Sequence, residues 1–202
     1  KLILDLRDNG GGYLQPAVQL TDQFLKKGKM IVYTDGRHNG RFDNISTQEG
    51  RLLDTELVVL INENSASASE MVINSLSSYI DVIQIGEQTT GKSQASITLY
   101  DSPDFRRSGA NPSHNYAMQP LVAKTVNKLN ESVPANGLTP NIIFNENPIN
   151  YGVLGNQDEP LLAIAIQHII DNGRIKQPQD HSYRTLKNSS NYHPLQNDMY
   201  ID

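Results

Sequence analysis

Two strongly apolar runs constrain the fold of this 202-residue chain more than any other feature of its sequence: residues 2–6, which only Asp5 interrupts, and residues 57–61. Short, strongly apolar runs of this kind are typical of buried strands in a sheet that helices cover. Each run is followed by a turn of polar or small residues and then by a segment with helical periodicity, at residues 15–26 and 66–80. This order predicts an α/β fold, in which functional sites collect where strands end and helices begin.

The rest of the chain completes one predicted domain. Further strands are expected over 29–35, 81–87, 92–100, 116–126 and 141–145, with a hairpin over 36–46. A last helix over 158–172 is predicted to have Asp158 as its N-cap, Pro160 in its first turn and Gly173 just after its end. Residues 175–202 are polar and aperiodic. We therefore expect a core over 1–174 followed by a polar tail over 175–202 with little core of its own.

Composition excludes several classes of function. The net charge is −5 and no basic block occurs, which argues against a nucleic-acid partner. The absence of cysteine removes thiolate nucleophiles, thiolate metal sites and disulfides, and no histidine spacing suits a metal, so no metal or cofactor is predicted. The chain begins with Lys1 rather than Met and already reads as a buried strand, so we expect a fragment or a matured chain.

The segment "NENSASASE", residues 62–70, follows the second apolar run and carries serines at three alternate positions. The start of a helix presents free backbone N–H groups and the positive end of the helix dipole, which would stabilise the anion of a nucleophilic hydroxyl. Ala66 and Ala68 leave room for a substrate backbone. Serine and asparagine are also common N-caps, and small residues allow close packing, so a purely structural role remains open from this segment alone.

Two other segments could complete a catalytic site. The turn "DNGGG" after the first strand allows positive φ and close approach to a ligand, and its N–H groups could form an oxyanion hole. A phosphate cradle is a competing interpretation, but neither a GK[ST] ending nor a GxGxxG spacing is present. Lys92, in "TTGKSQAS", could act as a general base, because burial disfavours the charged form of a lysine. Most lysines are instead simple surface residues.

Together, these blocks resemble the C-terminal processing, or tail-specific, serine peptidases. "LILDLRDNGGG", "SASASE" and "GEQTTGKS" are similar to the family's glycine turn, nucleophile segment and lysine segment, in the same order, and "NYAMQP" and "GLTPNI" also resemble members from bacterial cell envelopes. The family's lysine lies 25 residues after its nucleophile, and the same separation joins Ser67 to Lys92. The resemblance implies the layered α/β fold of β-β-α units that this family shares with ClpP and the crotonases.

The resemblance also implies a role for each matching residue. Ser67 would be the nucleophile and Lys92 its general base. The N–H of Ala68 and that of Gly11 or Gly12 would form the oxyanion hole. Glu70, which the family shares, would support the site without reacting. The substrate would be a protein or peptide, and the location would be extracytoplasmic, in the periplasm or on a membrane-anchored lipoprotein of the bacterial envelope.

The sequence departs from the family pattern at one position. The family often carries a glutamine four residues after the lysine, where this chain has Ser96. Residues 92, 94 and 96 would share one face of an extended strand, so Gln94 or Ser96 could orient Lys92. Because the sequence begins at the strand before the glycine turn, we expect the family's PDZ-like module and helical N-terminal segment to be missing from this chain.

Two alternatives to an active peptidase remain open at this point. The first is an inactive relative that binds peptides or another ligand. The serine at position 96 and the missing module both favour this alternative. The second is an acyl-transfer or acyl-CoA enzyme of the crotonase type, which also uses backbone N–H groups as an oxyanion hole. A serine and a lysine at these positions argue against the second alternative. The sequence carries no information on oligomeric state.

Overall fold

The structure is a computed structural model that describes residues 1–37, 40–114, 116–147 and 151–173, together with the backbone of 199–200. The elements follow one another as β1 (Leu2–Asp5), α1 (Leu14–Asp22), β2 (Met30–Gly36), β3 (Gly40–Ile45), β4 (Leu57–Ile61), α2 (Ala68–Leu76), β5 (Val82–Gly86), β6 (Gln94–Ser96), β7 (Leu99–Tyr100), β8 (Ala117–Met118), β9 (Leu121–Val126), β10 (Ile142–Ile143), α3 (Pro160–Ile170) and β11 (Met199–Tyr200).

Four of these strands form a parallel sheet in the order β1-β4-β5-β10. Every residue of β4 is buried, and its side chains alternate between two apolar clusters. Leu57, Val59 and Ile61 pack with α1 and α2, whereas Val58 and Leu60 pack with α3 on the opposite face. Burial on both faces explains why this strand reads as an unbroken apolar run.

A second, mixed sheet has the order β11-β6-β9-β2-β3. The cluster that holds α1 and α2 also contains Ile31 and Val32 of β2 and Ala95 of β6. Helices α1 and α2 therefore lie between the two sheets, while α3 covers the outer face of the parallel sheet. This layering of strands and helices confirms the predicted α/β fold.

The two site-bearing turns meet because β1 and β4 are parallel neighbours, with Leu2 opposite Leu57 and Asp5 opposite Leu60. Their carboxyl ends lie at the same edge of the sheet. The glycine turn after β1 and the serine segment after β4 consequently lie side by side, as the sequence order predicts.

All three helices differ in extent from those predicted, and α2 spans Ala68–Leu76 rather than 66–80. Helix α1 ends at Asp22 rather than at residue 26, because Phe24 and Leu25 donate their N–H groups to carbonyls three residues earlier and form a tighter turn. Helix α3 begins at Pro160 with Glu159 as its N-cap, so the assignment of Asp158 as N-cap was wrong. The side chain of Glu159 instead bonds the Gly155 N–H at 2.7 Å.

Two predicted strands are each divided. Residues 92–100 contain β6 and β7, and residues 116–126 contain β8 and β9. Pro120 lies between β8 and β9, and the pairing of β6 with β9 shifts between Ala95 and Ser96. A proline cannot donate to a strand ladder, which explains the break at that point.

Most of the predicted tail, at 175–198 and 201–202, lies outside the described residues, but Met199 and Tyr200 pair with β6. Within the part of the chain that the structure describes, no helix combines the length and apolar character needed to span a membrane.

Candidate active site

The three alternate serines before α2 have different environments. Ser65 donates its hydroxyl to the Leu6 carbonyl at 2.7 Å, which ties the segment to β1. Ser69 donates its hydroxyl to the Asn9 carbonyl at 3.0 Å. The hydroxyl of Ser67 is buried and donates no hydrogen bond within the described structure. It faces the Glu70 N–H in a capping box, in which the Glu70 carboxyl group accepts the Ser67 N–H. Ser65 and Ser69 therefore donate structural bonds, and of the three hydroxyls that of Ser67 alone donates none.

Ser67 is also held in a strained backbone conformation. Its φ is 60° and its ψ is −116°, a region that residues with a Cβ rarely occupy. Such a conformation costs about 1–3 kcal/mol and persists where the surroundings enforce it, most often at functional sites. Ser67 is the N-cap of α2, so its hydroxyl lies at the positive end of that helix.

Glu70 connects the serine segment to the lysine segment. Its carboxyl group is fully buried and accepts the N–H groups of Ser67 and Lys92 at 2.8 Å each and that of Gly91 at 2.7 Å. The Thr89 hydroxyl donates a fourth hydrogen bond. Ser67 and Lys92 share the same acceptor, Oε2, so their amide nitrogens are no more than two hydrogen-bond lengths apart. Sequence analysis assigned Glu70 a supporting role, and these contacts show how it would act.

The glycine turn lies directly against the serine segment. A Cβ on Gly11 would lie 2.7 Å from the Ala68 nitrogen and 2.8 Å from the Ser67 Cβ, so only glycine fits here. The N–H of Gly11 donates to Asn9 Oδ1 at 3.1 Å. Gly12 faces open space, and its N–H has no bond within the described structure. The structure therefore brings Ala68 and both glycines together.

Asn9 holds this turn in place, a role that sequence reasoning missed. Its carbonyl accepts the Ala66 N–H at 3.1 Å and the Ser69 hydroxyl at 3.0 Å. Its side-chain oxygen accepts the same hydroxyl at 2.9 Å in addition to the Gly11 N–H. Only the position of Asn9 in the turn "RDNGGG" could have indicated it.

Thr89 is the second residue that sequence reasoning missed. Its hydroxyl accepts the Leu138 N–H at 2.7 Å while it donates to Glu70. A Cβ on Gly137 would lie 2.0 Å from the Thr89 carbonyl, so residues 137–138 lie against the lysine segment. The resemblance of "GLTPNI" to the family was the one signal for this contact.

The residues around the proposed base lie in different environments. Lys92 is half-buried and precedes β6. Gln94 is exposed, whereas Ser96 is completely buried, so the two do not share one environment as the strand periodicity predicted. Burial favours Ser96 over Gln94 as the residue near Lys92, and the identity of the orienting residue stays a prediction.

An ion cluster around the buried side chain of Arg7 fixes the start of the glycine turn. Arg7 pairs with Asp5 at 2.6 Å, Glu146 at 2.7 Å and Glu159 at 2.5 Å. Burial alone would lower the pKa of Arg7, but the hydrogen bond to Asp5 and the charges of its other partners raise it. Burial raises the pKa of Glu146 against the opposing effect of Arg7. The cluster joins β1 to the N-terminus of α3 and so stabilises one wall of the site.

The histidines that the structure describes offer no alternative base. His114 contacts Asp101 at 3.2 Å in the loop after β7. His168 lies on α3, which packs on the face of the parallel sheet opposite α2. His38, His181 and His193 lie outside the described residues. Among the described residues, no three acidic or histidine side chains are grouped as a metal site would require.

Comparison with known proteins places this arrangement in a family. The family model of peptidase family S41 matches residues 1–144, which include the glycine turn, the serine segment and the lysine segment. The chain belongs to peptidase family S41.

Relatives and solved structures agree with this assignment. A carboxyl-terminal-processing protease from Picosynechococcus is 31% identical over 177 residues, covering 88% of this chain and 40% of the relative. A carboxy-terminal-processing protease from Bartonella bacilliformis is 44% identical over 91 residues, covering 45% of this chain and 21% of the relative. A Bacteroides fragilis structure assigned to the S41 proteases has a TM-score of 0.72 at 25% identity, covering 84% of this chain and 44% of that one.

The S41 fold extends to more distant structures. The photosystem II D1 C-terminal processing protease has a TM-score of 0.55 at 23% identity, covering 81% of this chain and 38% of that one. The S41 chain described here therefore spans less than half the length of these relatives.

Proposed function

We propose that this S41 chain is a serine-type peptidase core that hydrolyses peptide bonds in protein substrates. The observation that carries the proposal is the buried hydroxyl of Ser67, which donates no hydrogen bond and stands on a strained main chain at the N-terminus of α2. A helix cap alone requires neither this backbone conformation nor a hydroxyl without an acceptor. The carboxyl-terminal-processing relatives suggest substrates cleaved near their C-termini.

The proposed reaction has two steps. Lys92, in its neutral form, removes the hydroxyl proton as Ser67 Oγ attacks the scissile carbonyl carbon. The protonated lysine then gives this proton to the departing amine, which leaves an acyl-serine ester. Water, deprotonated by the same lysine, attacks the ester carbonyl carbon. The bond to Ser67 Oγ then breaks, the lysine returns the proton to that oxygen, and the new carboxyl terminus is released. Glu70 supports this sequence by binding the main chain of both Ser67 and Lys92.

The oxyanion of each tetrahedral intermediate requires at least two donors. The Ala68 N–H is the first, because it follows the nucleophile directly and lies at the N-terminus of α2. The second comes from the glycine turn. The N–H of Gly12 is unbonded, whereas that of Gly11 would first have to leave Asn9. We therefore favour Gly12 as the second donor and Gly11 as the residue that makes the close approach possible.

Cleavage of an unfolded protein substrate tests the proposal. Ser67→Ala and Lys92→Ala should each reduce cleavage by about a thousandfold or more, since the two act as a unit. Lys124→Ala is a matched control, because this lysine lies opposite Gln94 on β9 and is exposed. It should cleave at the parent rate.

A reactive fluorophosphonate probe gives a second measurement that needs no substrate recognition. The parent chain should be labelled at Ser67, and Lys92→Ala should be labelled far more slowly. Cleavage or labelling that survives in folded Ser67→Ala would overturn the assignment. A folded parent chain that is never labelled would instead support the binding-only alternative.

We also propose the remaining features that the resemblance implied. The catalytic core would extend over residues 1–174. The protein would act outside the cytoplasm in the bacterial envelope, and a Streptococcus agalactiae lipoprotein with the same fold is compatible with that location (TM-score 0.55, 16% identity). Protease protection of the full-length protein in intact cells, before and after the outer layers are opened, tests the location.

A further inference from the structure

The outer edge of β6 lies beside the proposed catalytic residues. Strand β6 begins two residues after Lys92, whose N–H shares Oε2 of Glu70 with the N–H of Ser67. One edge of β6 pairs with β9. The opposite edge of a strand in this position offers unpaired N–H and C=O groups to any extended chain that approaches it.

The main-chain groups on that outer edge can be identified. The Ser93 carbonyl accepts the Thr125 N–H at 2.9 Å, and the Ile97 N–H donates to the Pro120 carbonyl at 3.3 Å, so both face the β9 side. Main-chain groups of successive residues in a strand point to opposite edges. The N–H and C=O groups of Gln94 and Ser96 therefore face outward, away from β9.

The chain itself occupies this edge. Strand β11 is parallel to β6, with Met199 opposite Ala95 and Tyr200 opposite Ser96. In this register the Met199 N–H faces the Gln94 carbonyl, and the Met199 carbonyl faces the Ser96 N–H. The main-chain groups of Tyr200 point away from β6.

We propose that the outer edge of β6 binds extended polypeptide in parallel orientation, and that residues 199–200 occupy it as an internal competitor. Addition of a strand to an open edge uses main-chain bonds and so accepts many sequences, as a peptidase for unfolded protein chains requires. Docked residues 199–200 would exclude such a chain from the strand that follows Lys92. The expected exclusion of substrate rests on the proposed function. The docking of residues 199–200 can itself be measured without cleavage.

The alternation of main-chain groups provides a matched pair of substitutions. Met199→Pro removes the N–H that faces Gln94, whereas Tyr200→Pro removes an N–H that makes no bond to β6. The first should release the segment from the edge, and the second should leave it docked. Both variants are made in the Ser67→Ala chain, so that no bound peptide is cleaved.

Binding of a synthetic peptide with the sequence of residues 197–202, measured by fluorescence anisotropy, is the decisive experiment. If the internal segment occupies the edge nine-tenths of the time, its release should tighten peptide binding about tenfold in Met199→Pro, with no change in Tyr200→Pro. Amide hydrogen exchange should become faster at Ser96 in Met199→Pro alone.

Equal peptide affinity in the two proline variants would overturn the inference, and so would unchanged exchange at Ser96 in Met199→Pro. Neither measurement depends on peptidase activity. If Met199→Pro binds the peptide more tightly than Tyr200→Pro but the parent chain cleaves no substrate, the docking edge is supported and the proposed function is rejected. If the parent chain cleaves substrate but the two proline variants bind the peptide equally, the proposed function is supported and the docking edge is rejected.

Discussion

Glu70 holds Lys92 through the main chain, because Oε2 of Glu70 accepts the Lys92 N–H at 2.8 Å. The same oxygen accepts the N–H of Ser67. One buried carboxyl group thus positions the main chain of both residues of the proposed dyad. A supporting residue of this kind should affect both stability and rate.

Replacement of Glu70 by glutamine tests this positioning role. An amide has one acceptor oxygen and places an NH₂ group against donors that now point at a carboxyl oxygen, so at least one buried N–H or hydroxyl loses its partner. We expect unfolding to become easier by about 1.5–3 kcal/mol, the usual worth of a hydrogen bond to a charged group. Cleavage should fall at least tenfold at temperatures where the variant is fully folded.

Glu49→Gln is the control for Glu70→Gln, because Glu49 is exposed and its loss changes the net charge equally. Chemical denaturation and cleavage should both match the parent. Equal rates for Glu70→Gln and Glu49→Gln would mean that the buried carboxyl group has only a structural role.

The two glycines beside Ser67 should tolerate alanine differently. In Gly11→Ala the new Cβ would meet the Ala68 nitrogen at 2.7 Å, so the turn or the start of α2 must move. In Gly12→Ala nothing lies within 4 Å of the new Cβ, and only the backbone conformation, φ +139°, is unfavourable. We expect Gly11→Ala to abolish cleavage, and Gly12→Ala to cost about 1 kcal/mol of stability while some cleavage remains.

Steady-state cleavage and thermal unfolding of both glycine variants distinguish these outcomes. Full activity in Gly11→Ala would show that the turn does not lie against the nucleophile as described. Equal loss of activity in both variants, with equal Tm, would point to a general need for flexibility in the turn.

The elements that place this site could be predicted from the sequence because they depend on local patterns. β4 is an apolar run that requires cover on both faces, and Gly11 follows a strand where only glycine fits. Ser67 and Lys92 were predicted as catalytic residues by resemblance in three blocks, since nothing local distinguishes Ser67 from Ser65 or Ser69. The structure distinguishes them, because the other two hydroxyls bond the main chain of β1 and its turn.

Other features depend on tertiary contacts that no local pattern encodes. Asn9 acts through hydrogen bonds to residues about 60 positions away in sequence. Thr89 joins Glu70 to Leu138, and neither partner is near it along the chain. The pairing of Met199 with Ala95 arises in a segment with no strand periodicity, because main-chain bonds alone suffice for it.

The strain at Ser67 predicts an unusual order of stabilities. A glycine adopts φ 60°, ψ −116° freely, whereas alanine keeps the Cβ that makes this conformation unfavourable. Ser67→Gly should therefore be more stable than Ser67→Ala by about 1–2 kcal/mol. At roughly 2–4 °C per kcal/mol for a chain of this size, calorimetry should resolve the difference in Tm.

Ser69 provides the control for this comparison, since it lies inside α2. There alanine should be more stable than glycine by up to about 1 kcal/mol, as in other helices. If the two positions gave the same order, the conformation of Ser67 would not be strained.

Glu87 provides a prediction about pH. Burial raises its pKa above the ordinary range, and the charge of Glu63 raises it further. A raised folded-state pKa means that the folded protein binds the proton more tightly than the unfolded chain, so stability falls as pH rises through the interval between the two pKa values. Glu87→Gln lacks this ionisation. Its Tm relative to the parent should therefore increase between about pH 4 and about pH 7.

Thermal unfolding over that pH range, with Glu49→Gln as the control, tests the prediction. This control removes an exposed carboxyl group, so the comparison separates the loss of a negative charge from the effect of burial at Glu87. Burial also raises the pKa of Glu146. The stability of Glu87→Gln should therefore keep part of the parent's pH dependence, and the double variant Glu87→Gln/Glu146→Gln should keep less. A Tm difference for Glu87→Gln that shrinks as pH rises would show that its carboxylate is stabilised in the folded state.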